Sequence, residues 1–293
     1  MTGDERWSMA DPSAASPLDS RPRRPTLAQV RSVAQPPEVL GRGSAEHWTG
    51  DLYLRRVSPH LTRALIPTPV TANGVTWLMM VAGWAAAGAL LIPGLWGALL
   101  GALLAQLQML LDCSDGEVAR WKGLSGPVGV FLDKVGHYTV EGAIALALGW
   151  RAAGVVGGQE TDPAAVWRYA FLGALLAAGL LLNKALNEMV HASRAAAGLD
   201  RLPDTTQARA VPAGSVLGVL RRAARLVPFH RMFHSIEMTL VTLAVAVVGA
   251  LAGAELEAAR WQVLVMAAVI LPVTAGHLAA ILASPRLRRE DAR

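Results

Sequence analysis

Three carboxylates near the end of a long apolar stretch carry most of the chemical information in this sequence. Asp112 and Asp115 are three residues apart, and Asp133 follows a turn at residues 123–127. Residues three apart on a helix share a face, so the first two acids are predicted to be neighbours. Ionisable groups at the edge of an apolar segment are costly and are usually functional. Because grouped carboxylate oxygens are the ligands that Mg²⁺ prefers, the pattern predicts a metal site.

Small residues and an arginine accompany these acids. Gly116 lets a ligand approach the backbone closely, and Ala119 keeps the same helical face open. Arg120 offers a fork of N–H donors that suits phosphate. Gly129 repeats the pairing of a small residue with a carboxylate four residues later. Two helices are therefore expected to converge three carboxylates on one or two ions, with a pyrophosphate completing the shell. Capping and salt-bridging acids at a helix–turn–helix edge are the alternative, which leaves the small residues unexplained.

The elements that must position these groups are predicted to be transmembrane helices. The chain is 53% hydrophobic and 17% charged, and its apolar residues are bunched. About 20 apolar residues span a bilayer core, and long continuous runs indicate helices instead of a barrel. We predict an all-α polytopic membrane protein with about six spans and an amino-terminal interfacial helix. The spans are expected at residues 75–92, 95–111, 128–150, 164–185, 238–254 and 261–284.

The ends of the chain differ from this membrane domain, which is placed at residues 46–285. Residues 1–45 are rich in Pro, Ser, Asp and Arg and are predicted to be a disordered tail. Residues 47–66 mix leucines with arginines and fit an amphipathic helix at the membrane interface, although an ordinary surface helix fits the periodicity equally well. Residues 286–293 form a basic tail.

The distribution of positive charge predicts the orientation. Arginines cluster in the amino-terminal segment, in residues 192–231 and in the tail, while the remaining turns carry few. Positive loops stay on the cytoplasmic side, so both termini and the acidic motif are predicted to be cytoplasmic. Arginines that flank apolar spans are better explained this way than by nucleic-acid binding. The lone Cys113 excludes an intramolecular disulfide, and the abundance of arginine and alanine indicates a bacterial plasma (inner) membrane.

The spacing of the motif resembles the signature of the CDP-alcohol phosphotransferase family. The matching pattern is Asp112-x2-Asp115-Gly116-x2-Ala119-Arg120-x8-Gly129-x3-Asp133. The resemblance covers roughly residues 47–285. In that family a CDP-linked alcohol such as CDP-diacylglycerol gives its phosphoalcohol group to a hydroxyl acceptor and releases CMP. The resemblance implies a homodimer, two Mg²⁺ or Mn²⁺ ions held by the three aspartates, and a nucleotide pocket lined by Gly116, Ala119, Arg120 and Gly129.

His137 stands where the family pattern has a fourth aspartate. A neutral imidazole accepts protons near pH 7, so His137 is predicted to be the base for the acceptor hydroxyl. Glu141, one turn further along, is predicted to orient the ring. A ligand to a second metal, a structural histidine, or the mark of a catalytically impaired CDP-binding protein are the alternatives. A transporter is disfavoured, because inverted repeats are not detected in the sequence.

Polar residues at the cytoplasmic ends of the fourth and fifth spans are candidates for acceptor binding. Arg194, Arg231 and His234 are predicted to hold a polar or phosphorylated acceptor, although interfacial charges beside lipid headgroups fit equally well. Asn73 is predicted to lie on the nucleotide side. The identity of the acceptor stays open, and phospholipid synthesis is the expected setting.

Overall fold

The structure is a computed structural model that describes residues 21–37, 53–200, 202 and 231–287. Within these ranges the regular elements are α-helices and short 3₁₀ turns, with no strand, so the all-α prediction is confirmed. The predictions for residues 1–20 and 288–293 lie outside the described residues. The helices are α1 (Leu27–Ala34), α2 (Arg55–Leu65), α3 (Ala72–Leu90), α4 (Gly94–Lys122), α5 (Pro127–Ala153), α6 (Pro163–Ala196), α7 (Ser235–Ala252) and α8 (Glu255–Ala283).

Among the described residues, five helices are long and apolar enough to cross a membrane: α3, α4, α6, α7 and α8. This finding is consistent with the predicted polytopic membrane protein. The remaining predicted span, at residues 128–150, corresponds to α5, which has 27 residues but is not one of the five. Its acidic and basic side chains lower its hydropathy, yet Val140, Ile144 and Leu148 are almost completely buried. Helix α5 is therefore central to the bundle while it carries the polar groups of the site.

Short turns join α3 to α4, α4 to α5, α5 to α6, and α7 to α8, so consecutive helices run in opposite directions. The end of the bundle where α4 meets α5 is called the site end. Gly123 ends α4 in a left-handed conformation, with φ 66°, that glycine adopts without strain. Pro127 starts α5, where a missing N–H costs nothing. This turn brings the last residues of α4 next to the first residues of α5.

Two glycines set the distance between α5 and α6. A Cβ atom added to Gly149 would lie 2.6 Å from the Cα atom of Gly173, which is far inside van der Waals contact. Small residues of this kind let the backbones of apolar helices approach closely. The resulting core joins α3, α5, α6, α7 and α8.

Polar contacts fix the turns at the opposite end. Arg151 of α5 donates to the carbonyl oxygens of Ile92 at 2.7 Å and Gly94 at 2.6 Å, and so ties α5 to the turn between α3 and α4. Glu160, in the turn after α5, accepts from the backbone N–H of Asp162 at 2.9 Å and from Arg260 at 2.7 Å. The pKa of Glu160 is lowered, first by the N–H of Asp162 and then by the Arg260 guanidinium.

Helix α1 lies within the stretch that was predicted to be a disordered tail. Thr26 and Gln29 form a capping box at its start. Val30 and Ala34 are fully buried and pack with Ile66 and Trp121. Composition alone predicted disorder here, because it cannot show that α1 packs against apolar residues from distant parts of the chain.

Helix α2 lies within residues 47–66, where an amphipathic helix at the membrane interface is predicted, and residues 47–52 lie outside the described part. Its buried face carries Ser58 and Thr62, whereas Arg56 and Arg63 are exposed. The two hydroxyls point at one carboxylate of α4, that of Glu117. The face of α2 that packs against the bundle therefore contains polar side chains, although the sequence pattern predicts an apolar buried face.

Candidate functional site

Two carboxylates and an imidazole converge at the site end. The His137 Nε2 atom lies 3.0 Å from Asp112 Oδ1 and 3.4 Å from Asp133 Oδ1. One ligand atom from each residue falls within 4.8 Å of the other two. Asp112 comes from α4, and the other two side chains come from one turn of α5. Two carboxylate oxygens and one imidazole nitrogen make a set that fits a divalent cation.

Asp115, the third predicted carboxylate, is one turn beyond Asp112 on α4 but has a different neighbour. Its Oδ2 atom accepts a hydrogen bond of 2.7 Å from the hydroxyl of Thr76 on α3. The three-residue cluster does not include it. The structure thus brings Asp112 and Asp133 together with His137. Asp115 is hydrogen-bonded to the adjoining helix, yet it lies close enough to both aspartates to interact with them electrostatically.

Four of the residues predicted to line the nucleotide pocket form two pairs of neighbours, Gly116 with Arg120 and Gly129 with Asn73. A Cβ atom at Gly116 would lie 3.1 Å from Arg120 Nη1, so the guanidinium lies over this glycine. A Cβ atom at Gly129 would lie 3.4 Å from Asn73 Oδ1. Asn73, which is predicted to lie on the nucleotide side, is therefore a neighbour of Gly129. Ala119 is half-buried against the apolar cluster of α3 and α4.

Helix α1 reaches the same arginine. Arg120 Nε donates to the carbonyl oxygen of Ala34, the last residue of α1, at 2.7 Å. In the other direction, Arg21 donates to the Arg120 carbonyl oxygen at 2.8 Å, and its guanidinium stacks over Trp121 at 5.7 Å. This contact with the motif arginine was not predicted, since the sequence gives no sign that α1 folds back onto α4.

Glu141 lies below the cluster and is 1% exposed. Lys184 Nζ approaches its Oε2 atom at 2.7 Å, and His234 Nδ1 lies 3.3 Å from Oε1. His137 Nδ1 is 4.0 Å from the same Oε1 atom, which is longer than a hydrogen bond. The two ring nitrogens of His137 thus face carboxylates on opposite sides of the ring. The closer carboxylates are those of Asp112 and Asp133, which belong to the cluster.

Lys184 is a functional candidate that the sequence analysis did not select. Basic and acidic residues inside apolar helices are expected to pair, so the sequence indicates that Lys184 and Glu141 each have a partner of opposite charge. The residues were in different predicted spans, and only the tertiary structure shows which acid meets which base.

Of the predicted acceptor residues, Arg194 and His234 are described and have different partners. His234 contacts Glu141 and belongs to the polar network. Arg194 instead donates to the backbone oxygens of Asp200 at 2.9 Å and Arg286 at 2.8 Å, near the end of α8. The side chain of Arg231 lies outside what the structure describes. Lys134, next to Asp133, pairs with Glu188 of α6.

Glu117, inside the motif, was also overlooked. It is completely buried and accepts hydrogen bonds from Ser58 at 2.6 Å, Thr62 at 2.6 Å and Gln35 at 2.8 Å. It therefore joins α1 and α2 to the helix that carries Asp112. The hydroxyls four residues apart on α2 were the sequence signal for a shared partner.

Comparison with known proteins does not add a family to these observations. No family model matches the chain, and no curated protein matches it. The likeness to the CDP-alcohol phosphotransferases therefore depends on the motif residues and their spacing.

Proposed function

We propose that this protein is a metal-dependent phosphotransferase that moves a phosphoalcohol group from a CDP-linked alcohol to a hydroxyl and releases CMP. The observation that carries the proposal is the convergence of Asp112, Asp133 and His137 beside Gly116 and Arg120. The proposed setting is phospholipid synthesis by a homodimer in a bacterial plasma membrane, with the site on the cytoplasmic side.

The reaction forms a phosphoester bond to the acceptor and breaks the phosphoanhydride bond of the donor's pyrophosphate. The acceptor oxygen bonds to the β-phosphorus, the bond from that phosphorus to the bridging oxygen breaks, and CMP leaves with the electron pair. When bound by Asp112 and Asp133, Mg²⁺ or Mn²⁺ would offset the charge of the pyrophosphate. Arg120 would bind phosphate oxygens as a fork of donors. The acceptor proton goes to a base at the site, for which His137 was the candidate from the sequence.

The surroundings of Asp133 support a lipid-linked donor. Val128, Val130 and Phe131, on the first turns of α5, have exposed fractions of 60%, 55% and 66%. Exposed large apolar side chains beside a cluster of charges suit a substrate with a polar head and acyl chains. CDP-diacylglycerol, entering sideways from the bilayer, has this character.

The test is CMP release by the purified full-length protein in detergent. CDP-diacylglycerol would be supplied with Mg²⁺ or Mn²⁺ and a panel of acceptors: glycerol phosphate, inositol phosphate, serine and free polyols. We expect release with at least one acceptor, and a loss of at least about a hundredfold in Asp112→Asn and Asp133→Asn, as for removal of essential electrostatic groups. Glu188→Gln, which alters a neighbouring acid outside the cluster, is the matched control.

A membrane protein that binds CDP-alcohols without turning them over is the second candidate. The observation in its favour is that Asp115 is held by Thr76 and that a histidine replaces the fourth aspartate of the motif. Tight binding of CDP-diacylglycerol without CMP release for any acceptor would favour this candidate and reject the transferase.

A further inference from the structure

We propose that His137 is a metal ligand through Nε2, and that the Asp112–Asp133–His137 site selects Mn²⁺, Co²⁺ or Zn²⁺ over Mg²⁺. The inference deepens the proposed function. It rests on that function only for what the metal does in the reaction, and not for the metal's binding to the protein. It assigns His137 to coordination instead of proton transfer.

The two distances from His137 Nε2 match those between ligands in a coordination shell. Ligand atoms about 2.1 Å from one ion are separated by about 3.0 Å in an octahedron and about 3.4 Å in a tetrahedron. The observed separations from Nε2 are 3.0 Å to Asp112 and 3.4 Å to Asp133. Nε2 carries either one proton or one lone pair, so it cannot donate well to both carboxylates. A cation between them satisfies both carboxylates and the lone pair at once.

The opposite side of the ring has the surroundings expected of a ligating histidine. Metal-bound imidazoles usually direct their other ring nitrogen towards a carboxylate or carbonyl that orients the ring. Nδ1 of His137 faces Glu141 at 4.0 Å, so Glu141 acts on the ring through its charge and not through a hydrogen bond, and Glu141 is itself fixed by Lys184 and His234. Both ring nitrogens are thus directed at carboxylates, Nε2 at the two aspartates and Nδ1 at a buried acid.

A nitrogen ligand changes which ion the site prefers. Mg²⁺ favours oxygen ligands and retains its waters, whereas imidazole suits the first-row transition ions and Zn²⁺. Affinity at a mixed N and O site rises from Mn²⁺ to Co²⁺ and beyond. An aspartate at position 137 would offer only oxygen and would weaken that preference.

The decisive experiment measures metal binding directly, on full-length protein stripped with a chelator. Wild type should bind Mn²⁺ and Co²⁺ at least about tenfold more tightly than Mg²⁺ in calorimetric titrations, as the ligand type predicts. His137→Asp should reduce that ratio at least about fivefold. Electron paramagnetic resonance of bound Mn²⁺, with ¹⁵N-labelled histidine, should show one nitrogen coupling in wild type and none in His137→Asp or His137→Gln. His60→Gln, an exposed histidine on α2, is the matched control.

The outcomes separate this inference from the proposed function. Absence of nitrogen coupling in wild type, or an unchanged metal ratio in His137→Asp, overturns the ligand assignment even if CMP is released. Nitrogen coupling without CMP release leaves the metal site in place and rejects the transferase. Absence of coupling in wild type overturns the assignment without any variant. Its presence is assigned to His137 by comparison with two variants, His137→Asp and His137→Gln, so misfolding of one of them does not prevent the test.

Discussion

At the scale of single residues, two buried glutamates show different ways of keeping a carboxylate inside an apolar bundle. Glu117 is surrounded by neutral donors from α1 and α2, whereas Glu141 meets the cation of Lys184. An unpartnered carboxylate in such surroundings would be strongly unfavourable. Both glutamates therefore hold elements together near the cluster, and each makes a distinct prediction.

Replacing Glu117 by Ala should destabilise the protein by roughly 3 kcal/mol, because the buried hydroxyls of Ser58 and Thr62 lose a charged acceptor. Unfolding in mixed micelles, followed by circular dichroism, measures the change. Glu257→Ala, which removes a largely exposed acid paired with Arg260, should cost less than about 1 kcal/mol. Equal effects of the two substitutions would contradict the anchoring role of Glu117.

Replacing Lys184 by Met should cost about 3 kcal/mol, since it leaves the charge of Glu141 buried without its nearest cation. The double variant Glu141→Gln with Lys184→Met should recover most of that loss. The free energies of unfolding of wild type, both single variants and the double variant form a cycle. An interaction free energy near zero in this cycle would show that the pair is not coupled.

At the scale of elements, α1 behaves as a support for the motif arginine. Its carboxyl end accepts from Arg120, while Gln35 just beyond it donates to Glu117. A guanidinium fixed at Nε presents its terminal nitrogens in one direction, which favours phosphate binding. Under the proposed function, α1 therefore belongs to the donor site.

Val30→Asp should detach α1, because Val30 is fully buried against the bundle. We expect the KM for the CDP-linked donor to rise roughly tenfold as Arg120 loses its support, with a smaller change in kcat. Ser32→Asp places the same acid on the exposed face of α1 and should leave the KM unchanged. A normal KM in Val30→Asp would show that α1 does not orient the arginine.

The crossing of α5 and α6 depends on the absence of side chains at the contact. Gly149→Ala should destabilise the protein by about 1–3 kcal/mol, since the added methyl group meets the backbone of α6. Gly88→Ala, in α3, meets nothing within 4 Å and should have no effect or a small stabilising one. Thermal denaturation in detergent compares the two; similar melting temperatures would indicate that the helices are not so close.

At the scale of the whole molecule, alternating helix directions leave the two ends of the bundle chemically different. The site end has the metal-ligand cluster, and the opposite end has the turns fixed by Arg151 and Arg260. The distribution of arginine predicts that the site end is cytoplasmic. The orientation can be tested independently of activity.

In a Cys113→Ala background, single cysteines would be placed at exposed Ser125, at the site end, and at exposed Gln159, at the opposite end. A membrane-impermeant maleimide would be added to cells whose outer envelope is permeabilised and whose plasma membrane is intact. Under these conditions Gln159→Cys should react. Ser125→Cys should react only after the plasma membrane is permeabilised. The reverse labelling pattern would overturn the predicted orientation.

The helices and the identity of the motif residues could be predicted well from sequence, for local reasons. Apolar runs define where helices lie, and residues at spacings of three and four share a face, as Asp133 and His137 do. Among the described residues, the number of helices apolar enough to span a membrane differs from the prediction at α5, where charged and polar residues interrupt the hydrophobic pattern. The fold of α1 was also beyond local reasoning, because its apolar partners lie far along the chain.

By itself, the sequence determined the helical class, the turn that reverses the chain between α4 and α5, and the convergence of acids that follows from that turn. Only the tertiary structure decided that Thr76 takes Asp115, that Lys184 and His234 take Glu141, and that α1 reaches Arg120. The physical reason is range: helix periodicity is set within a few residues, whereas buried charges choose partners among all the helices that pack around them.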